Sequence, residues 1–166
     1  INTNAKVLLL CDPNNPISTR INSDDIKEVC YNFNGLIIID EAYVELSIRP
    51  SSLDLIKDFN NIVILRSLSK SFGMAGLRIG AIIGDESIIE SVKRVQPPFN
   101  MPTPVIHAIK SELFDTKKIS KNIDRICTER SRVIDRLISS EVIDKIYPSD
   151  TNFLFIKFRD FSLAKD

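Results

Sequence analysis

The chain has no tryptophan, a single histidine and only three cysteines among 166 residues, and each shortage removes a class of chemistry. One imidazole, His107, and thiols at Cys11, Cys30 and Cys127 with no CxxC pair leave a zinc site short of ligands. An odd number of widely spaced cysteines argues against a disulfide framework and for reduced thiols in a cytoplasm. Charge of one sign is not in excess: 22 basic and 22 acidic residues cancel, which speaks against a nucleic-acid footprint and a polybasic membrane anchor. No window nears the roughly 18 consecutive apolar residues of a membrane span. The opening INTNAKVLLLCDPNN lacks the basic start and the long apolar run of a signal peptide. Repeats and low-complexity tracts are also missing, so solenoids and arrays drop out. Small molecules or protein remain as partners.

What is present is a core. With 43% hydrophobic residues, the chain can bury one sizeable core and belongs to one domain plus at most part of another. Short continuous apolar runs at Lys6–Cys11, Leu36–Ile39 and Ile62–Leu65 read as strands covered on both faces, hence parallel. Between them, a helix over SDDIKEVCYNF is capped by Ser23 and stopped by Asn34-Gly35, and a short helix spans Ser51–Phe59. Arg78–Gly84 reads as a fourth strand, followed by helices over ESIIESVKRV capped by Asp85, over Pro102–Phe114 and, with long amphipathic spacing, over Lys117–Ser140. Val142–Tyr147 and Asn152–Phe158 then read as strands of a new unit.

Each early strand runs into a polar cluster: Asn14-Asn15, then Asp40 to Tyr43, then Ser67 to Lys70. Right-handed crossovers put these clusters on one edge of the sheet, at the carboxyl ends of the strands, where open α/β sheets bind ligands. In LRSLSKSFGMAGLRIG, Lys70 stands among Ser67, Ser69, Ser71, Gly73 and Gly76, with Arg78 eight residues on. Small residues let a ligand approach the backbone, and hydroxyls with a guanidinium can hold a phosphate beside a nucleophilic amine. That combination points to pyridoxal 5'-phosphate. The glycines spell neither GxGxxG nor a Walker loop, so a dinucleotide or nucleoside triphosphate is the weaker alternative. Glu41 and Glu45 are expected to face solvent or to support their neighbours, and His107 to be packed or partly exposed.

Pro13-Asn14-Asn15-Pro16, Asp40-Glu41-Ala42-Tyr43 with Glu45, and SLSKSFGMAGLRIG together resemble the fold-type I pyridoxal-phosphate aminotransferases, and most strongly the histidinol-phosphate aminotransferases. The resemblance implies that Lys70 bonds the cofactor covalently and shuttles a proton between substrate and cofactor. It implies that Asp40 pairs with the pyridine nitrogen and keeps it protonated. Tyr43 and Asn15 then hydrogen-bond the phenolic oxygen, and Ser67, Ser69 and Arg78 hold the phosphate. The implied fold is a three-layer α/β/α large domain with a mostly parallel sheet. Residues 1–116 would be its second half, 117–140 an interdomain helix and 141–166 the start of a small α+β domain. The implied activity is transamination between histidinol phosphate and 2-oxoglutarate in histidine biosynthesis, with a small-molecule amino donor and a 2-oxo acid acceptor, by a homodimer. An aromatic-amino-acid aminotransferase, a threonine-phosphate decarboxylase and a non-catalytic interaction module of the same fold stay open. Two departures concern the first loop: Ile17-Ser18 replaces the usual Thr-Gly, and Asp12 stands where asparagine or serine is common. There is no initiator methionine, and the family's upstream segments and carboxylate-clamping arginine lie outside these residues. The expectation is a piece of a longer polypeptide, inactive alone, whose Phe99–Val105 segment meets a partner subunit.

Overall fold

The computed structural model describes residues 4–160 and 162. Strands β1 (Val7–Cys11), β2 (Leu36–Asp40) and β3 (Ile62–Ser67) pair in parallel, and β4 (Gly80–Gly84) completes the four-stranded sheet antiparallel to β3. The α/β, mostly parallel architecture expected from the apolar runs is the one observed. In register, Leu10 lies opposite Ile39, Ile39 opposite Ile64, and Ile64 opposite Ile83. Side chains alternate along a strand, so these residues share one face with Ile37 and Ile62. Helix α1 (Ser23–Asn32) covers that face with Ile26, Val29 and Cys30, and the turn at Ser52–Lys57 adds Leu55 and Ile56. Ile37, Ile39, Ile62 and Ile64 are fully buried, each worth about 1.5–3 kcal/mol of transfer free energy. The opposite face is open at the β1 edge, where Val7 and Leu9 are 51% and 64% exposed.

Several local expectations are corrected. The α1 cap is Asn22, whose side chain accepts from Asp24 N, rather than Ser23. The helix ends at Asn32, and Gly35 serves a different purpose from stopping it: a Cβ there would meet the Lys6 carbonyl oxygen at 2.5 Å, so glycine is what lets β2 start alongside β1. The Ser51–Phe59 segment winds as a 3-10 turn, because a six-residue stretch capped by the Ser51 hydroxyl on Leu53 N is too short to gain from α-helical propagation. Strand β4 begins at Gly80; Arg78 adopts the left-handed region (φ 55°) and bends the chain before it.

Beyond the sheet follow α2 (Glu86–Val95), which Asp85 caps through Ser87 N, α3 (Thr103–Glu112) and α4 (Thr116–Leu137). His107 is exposed on α3. Strands β5 (Ile143–Ile146) and β6 (Ile156–Phe158) form an antiparallel pair of their own, shorter than their apolar runs. The hydroxyls of Ser149 and Thr151 both donate to Phe153 O, at 2.7 and 3.0 Å, and this local bonding displaces the ladder. Arg130 of α4 joins the turn after β2 to the segment between β5 and β6, donating to Leu46 O at 3.2 Å and Thr151 O at 2.9 Å. No described helix is long and apolar enough to cross a membrane.

Asp12 explains how the first loop holds its shape without the Thr-Gly pair. Its carboxylate is fully buried and takes Arg20 Nη2 at 2.7 Å, Arg20 Nε at 2.9 Å and Ile21 N at 2.7 Å, while Arg20 Nη1 donates to Arg49 O at 3.0 Å. Removing one partner of such a pair strands a buried charge. Asp12→Ala is therefore expected to lose about 3–5 kcal/mol in urea denaturation, and a loss below about 1 kcal/mol would contradict the clamp. Burial also pushes the Cys30 thiol above its ordinary value, so the unfolded chain ionises first. The stability from this group is intact below the ordinary thiol range and is lost as pH rises through the folded value. Between about pH 8 and 10, stability should fall less steeply in Cys30→Val than in the parent, and parallel slopes would refute this.

Candidate active site

Parallel pairing brings the polar ends of the strands to one rim. Asp12 N bonds Asp40 O and Glu41 N bonds Leu65 O, both at 2.9 Å, so the ladder continues into the loops that carry Asn15, Asp40, Tyr43 and Lys70. Asp40, the last residue of β2, lies between Cys11 and Leu65 in register, and among the described residues its carboxylate accepts only from Ala42 N, at 3.0 Å. Tyr43 is buried to 6% exposure and its hydroxyl accepts from Asn15 Nδ2 at 3.4 Å. Lys70 Nζ lies over the Tyr43 ring, 5.2 Å from its centroid, a cation–π distance. Lys70, Tyr43 and Asn15 are thus brought together, with Asp40 on the same rim.

The serines and the arginine are joined through the backbone. Ser67 ends β3 opposite Gly80, and its hydroxyl accepts from Ser69 N at 3.1 Å. Leu68 N bonds Ile79 O at 3.1 Å and Met74 N bonds Leu68 O at 3.0 Å, closing residues 68–79 into a compact loop that sets Arg78 beside the Ser67–Ser69 segment. The Arg78 side chain itself is exposed and donates to Ala75 O at 3.1 Å, with no hydrogen bond to either serine.

Charge pairing separates two kinds of group. Asp12 with Arg20, and Glu41 and Glu45 with Arg66, are matched at 2.7–3.0 Å. Asp40, Lys70 and Arg78 make no ion pair among the described residues. Two cations and one carboxylate left unmatched on one rim suit a ligand carrying a phosphate at one end and a basic ring nitrogen at the other. The donor set therefore fits a phosphorylated pyridine aldehyde.

Three features escaped the sequence pattern. Of the two expectations for Glu41, facing solvent or supporting its neighbours, the second is observed, but its partner was not foreseen: Glu41 is fully buried and forms with Arg66 and Glu45 a chain of ion pairs behind the lysine loop. A single arginine in the apolar β3 run was the available signal for it. Phe153, from the segment before β6, packs edge-on against Tyr43 with centroids 5.5 Å apart, and nothing in the spacing announced that contact. Asn122 of α4 reaches the Ser71 carbonyl at 2.9 Å.

Residues 1–162 match the family described as aminotransferase class I and II. The chain belongs to this aminotransferase family. It is 38% identical over 158 residues to histidinol-phosphate aminotransferase 1 of Legionella pneumophila (strain Lens), covering 94% of this chain and 43% of that protein. The crystal structure of the histidinol-phosphate aminotransferase from Clostridium acetobutylicum superposes with a TM-score of 0.84 at 28% identity, over 96% of this chain and 52% of that one. The enzyme from Sinorhizobium meliloti, solved in complex with pyridoxal-5'-phosphate, has a TM-score of 0.85 at 24% identity, over 95% of this chain and 43% of that one, and supports the fold. The architecture is thus that of the fold-type I aminotransferases. The chain spans about half the length of these relatives or less.

Within the aminotransferase loop, Arg78 is held at φ 55°, a region that costs a residue with a Cβ about 1 kcal/mol. Arg78→Gly is expected to raise stability by up to about 1 kcal/mol in chemical denaturation while weakening binding of a phosphate-bearing ligand at least tenfold. A variant that binds as tightly as the parent would remove Arg78 from the site.

Proposed function

We propose that the protein is a pyridoxal-phosphate-dependent aminotransferase, acting on histidinol phosphate with 2-oxoglutarate as amino acceptor. The observation that carries the cofactor assignment is the unmatched charge on one rim, Asp40, Lys70 and Arg78, together with the contacts of Lys70 with Tyr43 and of Tyr43 with Asn15. The substrate assignment is supported by 38% identity to a histidinol-phosphate aminotransferase. Pyridoxal phosphate, when bound, supplies a protonated ring that accepts the electrons left when a substrate Cα–H bond is broken.

The chain's own residues prepare that step. The Asp40 carboxylate holds the proton on the ring nitrogen, since a nearby anion favours the charged form. Tyr43 Oη and Asn15 Nδ2, already in contact, present hydrogen-bond donors to the phenolic oxygen. Ser67, Ser69 and Arg78 hold the phosphate, Arg78 by a planar fork that lysine does not offer. Lys70 would hold the cofactor through Nζ, and as a free amine it would be the base that takes the proton from the substrate Cα. The Tyr43 ring under Nζ, stiffened by Phe153, limits where that amine can go.

We read residues 1–116 as part of the large domain, α4 as the connecting helix and 141–166 as the start of a small domain; residues 1–3, 161 and 163–166 lie outside the described ones. Coverage of 43% of the Legionella relative supports the further reading that the isolated 166-residue chain does not turn over. Fully exposed Phe99, with Val95 at 82%, supports a homodimer contact through that segment, and three free cysteines fit a cytoplasmic setting.

Lys70→Ala should abolish the borohydride-stable cofactor adduct while leaving the far-ultraviolet circular dichroism unchanged, and an adduct of undiminished yield would refute the assignment. In the full-length protein, half-transamination is expected with histidinol phosphate and not with phenylalanine or threonine phosphate. Preference for either of the latter would move the chain to another substrate class within the fold.

A further inference from the structure

Ser71, the residue after Lys70, is fully buried and held from both sides. Its hydroxyl donates to Glu45 Oε2 at 3.2 Å, and its carbonyl accepts from Asn122 Nδ2 at 2.9 Å. Glu45 is itself immobilised, because Oε1 takes Arg66 Nη2 at 2.7 Å. Arg66 in turn reaches Glu41 Oε2 at 3.0 Å and Ser51 Oγ at 3.2 Å. Glu41 is anchored further by Ser51 Oγ at 2.5 Å and Ser52 N at 2.6 Å. This run of contacts starts one residue after Asp40 and ends one residue after Lys70, and it touches neither side chain. The other bonds of the loop run within it or to its own ends: Gly73 N bonds Lys70 O at 3.1 Å, Met74 N bonds Leu68 O and Leu68 N bonds Ile79 O, and Gly73 is in the left-handed region at φ 69°.

We propose that Glu45 is a positioning residue for Lys70, acting through the Ser71 hydroxyl and braced by Arg66. The inference rests on the cofactor reading above, and deepens it. A long, flexible lysine reaches a fixed aldehyde often only if its main chain is already placed, and reacting groups must be held to within about half an ångström. Glu45 holds the Ser71 side chain and Asn122 holds its carbonyl, so the residue next to Lys70 is pinned from two sides and limits where the lysine's main chain can move.

The test is the rate at which pyridoxal phosphate forms a borohydride-trapped adduct at Lys70 in the full-length protein. Peptide mass spectrometry gives this rate relative to the exposed Lys57 in the same sample, and each variant is compared under conditions where its circular dichroism matches the parent's, so that loss of the fold is not read as loss of positioning. Ser71→Ala and Glu45→Ala are each expected to slow Lys70 about tenfold, the scale of one hydrogen bond to a charged group. The double variant should be no slower than the slower single, because both act through one contact. Glu45→Gln, which keeps an oxygen facing Ser71, should stay within about threefold of the parent. If Glu45→Ala does not fold, Ser71→Ala decides alone, since it leaves the ion pairs intact. Parent labelling at Lys70 with unchanged Ser71→Ala, or additive losses in the double variant, would overturn the positioning role and leave the cofactor reading standing. No adduct at Lys70 in the parent would remove both.

Discussion

Parallel pairing of β1, β2 and β3 is the constraint from which the site follows. Three strands pointing the same way must end on the same rim, and whatever each strand's sequence carries just past its end is collected there. The buried isoleucines of β2 and β3 lock that register, because a slip by one residue would turn Ile37, Ile39, Ile62 and Ile64 away from α1 and toward the open face. The same slip would move Asp40 off the face on which it now lies. Core packing and site geometry are therefore one constraint viewed at two ends of the same strands.

Around that rim the protein distributes charge in two ways. Groups that shape loops are matched and mostly buried: Asp12 with Arg20 in the first loop, and Glu41 with Arg66 and Glu45 behind the lysine loop. A buried ion pair contributes little net stability but is costly to break, so it suits a framework more than a reacting group. Asp40, Lys70 and Arg78 lie at the solvent edge of the same framework and are matched by nothing within the described residues.

The second sheet contributes to the first. Phe153 packs edge-on against Tyr43, Arg130 bonds both Leu46 O and Thr151 O, and Asp150 N reaches Ser18 O at 2.7 Å. The segment before β6 thus braces the loops that carry Asn15 and Tyr43, and α4 braces the lysine loop through Asn122. Side chains distant in sequence supply the stiffness that the glycine- and serine-rich loop lacks.

Apolar run length was enough to read the sheet and the polar clusters at the run ends, because strand formation and the chemical character of a residue are local properties; the assignment of Asn15, Asp40, Tyr43, Ser67, Ser69, Lys70 and Arg78 to a cofactor site came from the resemblance to the aminotransferases. The helix cap at Asn22 rather than Ser23, and the late start of β4 at Gly80, were missed by a residue or two, since neighbouring polar groups compete for the same backbone donors at element ends. Only the tertiary structure decided that Glu41 is buried, that Arg66 bridges two carboxylates, and that Phe153 and Asn122 reach the loops. Those contacts join residues up to 110 positions apart along the chain, as between Tyr43 and Phe153, and no local pattern encodes a partner at that separation. The sequence by itself determined which groups stand at the strand ends; the folded packing decided which of them are neutralised by a charged partner and which, among the described residues, have none, because a partner distant in sequence is supplied only by the fold.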